Sequence, residues 1–206
     1  MTPVAELRPR VATEVPNCPN PVIDRALVDA ARALCSGASI WRDTLAVTPD
    51  GHGTRIALQS SGVTVNGQPA AASWPDSAEL ARVIPPGVEV SGRDFRQYEM
   101  VDQRTLHVLR DPGDELTVHV SLRPTLAARS LPDAVTLDYL EGVVSGALSR
   151  VLRMTSEPWT NPQMAQYYAR EARQARNQAV IEAQRGFEGG AMRVKPRLFA
   201  TFGSRR

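Results

Sequence analysis

The stretch Tyr139-Leu-Glu-Gly-Val-Val-Ser-Gly-Ala-Leu148, then Glu157-Pro-Trp-Thr-Asn-Pro162 and an Ala/Arg-rich run to Arg185, decides how this chain reads. Val135, Leu140, Val143, Val144, Ala147, Leu148, Val151 and Leu152 recur at helical spacing and define one apolar face. Gly142 and Gly146 lie one turn apart inside that helix. Each costs about 1 kcal/mol against Ala, so their presence predicts that another backbone approaches closely. Pro158-Trp159 breaks the helix, and Trp159 is expected to pack where the chain turns. Asn161-Pro162 starts the next one, with Asn as cap and Pro at the first helical position. Met164, Ala165, Tyr168, Ala172, Ala175, Ala179 and Ala183 then share an arc about 100° wide. Arg170, Arg173, Arg176 and Asn177 are assigned to the opposite arc. The pattern predicts an antiparallel helix pair, with helices over 132–154 and 161–185.

Downstream, residues 187–206 hold Phe187, Gly189-Gly190, Arg193, Lys195, Arg197, Leu198, Phe199, Phe202, Arg205 and Arg206. A basic segment with adjacent glycines predicts a flexible tail. Its phenylalanines suit a peptide that folds onto a partner. Two buried Phe side chains would supply about 3–6 kcal/mol before the cost of ordering.

Upstream, four prolines in residues 1–19 predict an extended arm. Asn20-Pro21 repeats the capping pair, and Ile23, Ala26, Leu27, Ala30, Ala31 and Leu34 give a helix over 20–36 that Ser36-Gly37 would end. Trp41 is expected to pack on that helix end. From 44 to 124 the pattern turns β-like, with strands over 44–48, 55–58, 62–65, 88–90, 104–109 and 115–123. Asn66-Gly67 signals a hairpin. Asp111-Pro-Gly113 predicts a turn joining two paired strands, and Pro75-Asp76 a short helix through Arg82 ended by Pro85-Pro86. The fold expected is α+β: a helical core of three main helices, an inserted small antiparallel β-sheet or barrel over 44–124, and extended N- and C-terminal arms. Residues 20–186 would form the folded domain.

At 206 residues and 42% apolar composition the chain can bury a core. Its net charge of +2 hides an asymmetry. From Arg150 onward eleven Arg and Lys face four acids, a local +7, so residues 1–149 carry −5. Two cysteines with no secretion signal predict reduced thiols in an intracellular protein. No apolar run is long enough to span a bilayer.

Chemistry finds little support. His107 and His119 on neighbouring strands would invite a metal, but no third ligand stands at a suitable spacing. Cys35 with His52 or His107 could resemble a nucleophile and base, yet Cys35 closes an apolar helix face. No Gly-x-Ser-x-Gly and no Gly-x4-Gly-Lys-Ser/Thr occurs. No catalytic residue, metal or cofactor is predicted, and a small hydrolase is the weakest of three functional readings. A basic nucleic-acid-binding protein is the second.

The first rests on a resemblance. Residues 26–35 with Trp41, Ser145-Gly-Ala-Leu148 with Val151-Leu152 and Met154, Pro158-Trp159, Asn161-Pro162 and the run from Ala165 to Tyr168 resemble the head-to-tail adaptor (connector) proteins of tailed bacteriophages. The similarity covers residues 20–45 and 130–185; residues 49–114 match nothing in it. The resemblance implies a virion protein assembled in the host cytoplasm and placed at the head–tail junction. Such adaptors form a ring, usually a dodecamer, beneath the portal. They lengthen the DNA channel and offer a docking surface to tail or nozzle proteins. It implies a portal contact through Arg193, Lys195, Arg197, Leu198, Phe199, Phe202, Arg205 and Arg206. Arg170, Arg173 and Arg176 would face the channel or a neighbouring subunit, with non-specific contact to packaged DNA. Gly142, Gly146 and Trp159 would serve helix packing.

Overall fold

The computed structural model describes residues 1–51, 53–59, 62–70, 74–102 and 104–185. A two-residue strand β1 (Thr2–Pro3) leads into helix α1 (Val4–Ala12). Val4, Leu7 and Val11 lie on one face of α1 and are buried, and Val15 and Cys18 extend the buried side past its end. The extended N-terminal arm expected over residues 1–19 is therefore corrected to a packed helix. The prolines misled because three of them stand at or beyond the helix ends. Pro9 lies inside it, where burial of three apolar side chains outweighs one lost backbone hydrogen bond.

Helix α2 (Asn20–Ala38) follows. Arg8 of α1 grips it through two parallel hydrogen bonds, Nε and Nη2 donating to the Asp24 carboxylate at 2.5 and 2.6 Å. Two details depart from expectation. Pro19 holds the cap position and Asn20 is already helical, without a side-chain cap bond. The helix also runs through Gly37 and stops at Ser39, which adopts the left-handed conformation with φ 53°.

Among the described residues the strands that follow are β2 (Arg42–Val47), β3 (Arg55–Leu58), β4 (Val63–Val65), β5 (Gln68–Pro69), β6 (Ala78–Val90), β7 (Arg93–Asp94), β8 (Tyr98–Asp102), β9 (Thr105–Val108), β10 (Leu116–Pro124) and β11 (Ser130–Leu131). Three helices follow among the described residues, α3 (Asp133–Thr136), α4 (Leu140–Val151) and α5 (Pro162–Arg185). One antiparallel sheet has the order β2-β10-β6-β7 and a second the order β5-β4-β3-β9-β8, while β1 pairs with β11.

Inward residues of both larger sheets share one core, including Leu45, Ile56, Leu58, Leu80, Leu106, Val118 and Leu122. The helices build a second core from α1, α2, α4 and α5, including Leu27, Leu34, Val143, Leu148 and Ala179. The fold-class expectation is thereby corrected. The molecule is mixed α and β with substantial sheets and a β core of its own; it is not a helical core carrying a small inserted sheet or barrel.

The hairpin at Asn66-Gly67 forms, with φ 49° and 84° at the two residues and Val65 opposite Gln68. Two other β-region expectations fail. The helix expected from Pro75-Asp76 to Arg82 is instead a turn, closed by the Ala78 N–H bonding to the Pro75 carbonyl at 2.7 Å, followed by the start of β6, a strand of 13 residues. Strand β6 accommodates Pro85-Pro86 by breaking register against β10. Val118 pairs with Val88 but Val120 pairs with Val83, so the proline pair falls in a bulge that asks for no ladder N–H. Nor do the strands flanking Asp111-Pro-Gly113 pair. β9 lies between β3 and β8 in one sheet while β10 lies between β2 and β6 in the other, so this turn crosses between sheets. The helix expected over 132–154 also divides into α3 and α4, interrupted by exposed Leu137 and by Tyr139, whose φ is −126°.

Charged side chains tie the two cores together. Arg32 on α2 and Arg123 on β10 both donate to Oε1 of Glu79 on β6, at 2.7 and 2.6 Å. Arg32 also donates to the Pro124 carbonyl at 2.5 Å, and Arg82 reaches the Ser39 hydroxyl at 2.6 Å. Trp41 packs on both cores from the junction, a wider role than the helix-end contact expected of it.

Candidate functional site

Helices α4 and α5 form the antiparallel hairpin on which the sequence concentrates its charge. Small residues let the axes close. A Cβ placed on Gly142 would stand 2.7 Å from the Ala175 Cβ, and one on Gly146 would stand 2.9 Å from the Ala30 Cβ. Gly142 thus makes room for α5, and Gly146 chiefly for α2. Asn161 Oδ1 accepts from the Met164 N–H at 3.1 Å, capping α5 as its sequence predicts. At the other end of the pair, Tyr139 donates to Glu182 Oε2 at 2.7 Å. Burial and then this carboxylate push the Tyr139 phenol well above its ordinary range, while the phenol and Gln178 hold Glu182 below the usual carboxylate range. Trp159 packs against the helical core at the turn, and its buried Nε1 has no hydrogen-bond partner among the described residues.

Beside this hairpin runs a groove of about 490 Å3. Ala30, Gly142, Gly146 and Ala172 contribute to its floor, and Arg150, Arg153, Arg173 and Arg176 stand around it. Among the described residues none of these four arginines makes an ion pair with a carboxylate. Arg150 reaches only the Gly146 carbonyl, at 3.5 Å. Among the described residues no acid lines the groove.

The three arginines singled out on α5 do not act as one set. Arg173 and Arg176 border the groove, whereas Arg170 is exposed and is not part of it. Arg176 was assigned to the solvent arc and instead lays its stem over α2. A Cβ on Gly37 would meet Arg176 Cδ at 2.8 Å. The long aliphatic stem covers a helix surface left bare by glycine, and Arg176 also lines the groove. Arg150 and Arg153 were missed as site residues. The available signal was the charge change at Arg150, which spacing within a single helix could not place beside Arg173.

The other proposed site residues, Arg193, Lys195, Arg197, Leu198, Phe199, Phe202, Arg205 and Arg206, lie outside the described residues, as does His52. His107 and His119 fall in different sheets, on β9 and β10, rather than on neighbouring strands. His119 Nε2 instead lies 3.5 Å from Glu89 Oε2. Among the described residues, no group of three His, Cys, Asp or Glu side chains is placed to hold a metal, and no helix is long and apolar enough to cross a membrane.

Cys35 is buried, and loss of solvent pushes its thiol up to about 12. Cys18 is also shifted upward, by burial first and by nearby Glu157 second. A thiol whose pKa is raised stays protonated at neutral pH and is a poor nucleophile. Both cysteines are therefore expected to resist a thiol-reactive dye in the native protein and to label fully after denaturation. Rapid labelling of Cys35 in the folded chain, followed by intact-mass measurement, would contradict its placement.

Comparison with protein-family models finds no match, and no curated protein matches the sequence.

Proposed function

We propose that this protein is a structural, non-enzymatic head-to-tail adaptor of a tailed bacteriophage. In this role it forms a ring under the portal, extends the DNA channel and presents a docking surface to tail or nozzle proteins. The observation that carries the proposal is the α4/α5 hairpin. It joins the residues of the resemblance to a cationic groove for which the described fold supplies no acidic partner. Such a surface suits assembly. In a ring of copies each weak contact repeats, so many modest interactions act together. The basic phenylalanine-containing tail, residues 187–206, is assigned to the portal.

Removing residues 187–206 is expected to leave the helical and β cores folded, read by circular dichroism, and to abolish capture of the purified portal protein. Retained portal capture would refute the assignment of that tail. Full heads without tails in micrographs of a strain lacking the gene, with the protein present in purified wild-type particles, would establish the class.

The unpaired arginines also favour a second reading, a basic nucleic-acid-binding protein. Binding of the isolated monomer to generic duplex DNA, weakening steeply as salt rises, would support it. Absence of such binding until a ring has assembled would favour the adaptor.

A further inference from the structure

The flank of the hairpin opposite the arginine groove carries the other sign. There a shallower groove of about 390 Å3 is bordered by Glu141 and Glu171, with Gln174 and Gln178 between them. Glu182 continues this side one turn beyond Gln178, to which it is hydrogen bonded at 2.7 Å. Among the described residues one cation answers these acids, Arg10, which reaches Glu141 at 2.9 Å across an exposed pair. At 100° per residue along α5, Glu171 and Glu182 point nearly opposite to Arg173. One helix pair thus exposes a basic flank and an acidic flank, facing away from each other.

We infer that the arginine groove receives the acidic flank of a second copy of this chain, Glu171 seating among Arg153 and Arg173. Two features favour this occupant. The groove is sized for a few side chains, whereas a nucleic-acid duplex could offer only a phosphate edge at its rim. Complementary patches on opposite flanks also define a heterologous contact, in which each copy gives one face and takes the other. Such contacts propagate and close into a ring when the rotation permits. A two-fold dimer would need a patch that complements itself. The inference rests on the ring proposal for its biological purpose, but the contact can be tested without portal, tail or DNA.

The test uses the full chain and two charge-reversed variants, Arg153→Glu with Arg173→Glu, and Glu171→Arg. All substituted positions are exposed. The wild type is expected to self-associate on sedimentation as its concentration rises to about 1 mM, and less so at high salt. Each variant alone places like charges together and is expected to weaken association by at least about 100-fold. An equimolar mixture of the two is expected to recover it, because every contact then joins opposite charges. An unfolded variant could not be rescued by mixing, so recovery also controls for folding. A wild type that stays monomeric overturns the inference, as does association unaffected by both variants. Rings that still form through other residues would sink this contact while leaving the adaptor proposal standing. A monomer that binds duplex DNA, and loses that binding in the Arg153→Glu, Arg173→Glu variant, assigns the groove to phosphate and likewise overturns it.

Discussion

Glu79→Ala is expected to destabilise the protein by about 2 kcal/mol, between the cost of breaking exposed pairs and that of breaking fully buried ones, because its two ion pairs are part-buried. Glu79 is the shared acceptor between Arg32 on α2 and Arg123 on β10, and its side chain is only 20% exposed. Alanine leaves two guanidinium groups close together at the junction of the two cores, where their side chains are only 15% and 29% exposed. Glu79→Gln should cost less, since the amide oxygen still accepts one hydrogen bond. Urea unfolding monitored by circular dichroism measures both. A loss below about 1 kcal/mol, the range of exposed pairs, would mean that the junction is solvated.

The same residue sets an acid limit. Burial alone would raise its pKa, but the hydrogen bonds and charges of Arg32 and Arg123 prevail and hold it below the usual carboxylate range. The folded pKa lies below the unfolded value of about 4.3. Its stabilisation is therefore complete above that value and is lost as pH falls through the depressed folded pKa. Stability of the wild type should drop in that acid window, and Glu79→Ala should remove part of the drop.

Gly146→Leu is expected to cost near the upper end of the overpacking range, about 3 kcal/mol. Leucine is the better helix former by up to about 1 kcal/mol, so propensity alone predicts the opposite sign. The first added atom would already stand 2.9 Å from the Ala30 Cβ and 3.8 Å from the Ala172 Cβ. Two helices block the space, and neither neighbour is a flexible side chain that could swing aside. The substitution would part α4 from α2 and α5 and spread the arginine groove. Thermal unfolding checks the sign. A variant as stable as the wild type would show that the helices are not packed at this distance.

The two glycines illustrate what sequence can hold. Their helix-propensity cost announced a close approach, and α4 and α5 could be read from 3.6-residue spacing and from the Asn161-Pro162 cap. Which neighbour each glycine meets was not legible, because Ala30 and Ala175 are distant in the chain. Prolines misled in both directions. In residues 1–19 they hid α1, and at Pro85-Pro86 they disguised a strand as a helix end. Local breakers were overruled by burial of Val4, Leu7 and Val11 in one case and by a bulge against β10 in the other. Asp111-Pro-Gly113 was read as a hairpin turn; it bends the chain, with the Gly113 N–H donating to Asp111 Oδ1, but carries it from one sheet into the other, because local chemistry does not specify which sheet receives the next strand.

The sequence by itself determined the periodic elements and the charge asymmetry beginning at Arg150, because helical spacing, caps and net charge are local properties of the chain. Tertiary structure alone decided that two sheets enclose a core of their own, that Glu79 joins Arg32 to Arg123, and that Arg150 and Arg153 meet Arg173 and Arg176 across one groove. These are contacts between residues far apart in sequence, chosen by which faces can be buried together.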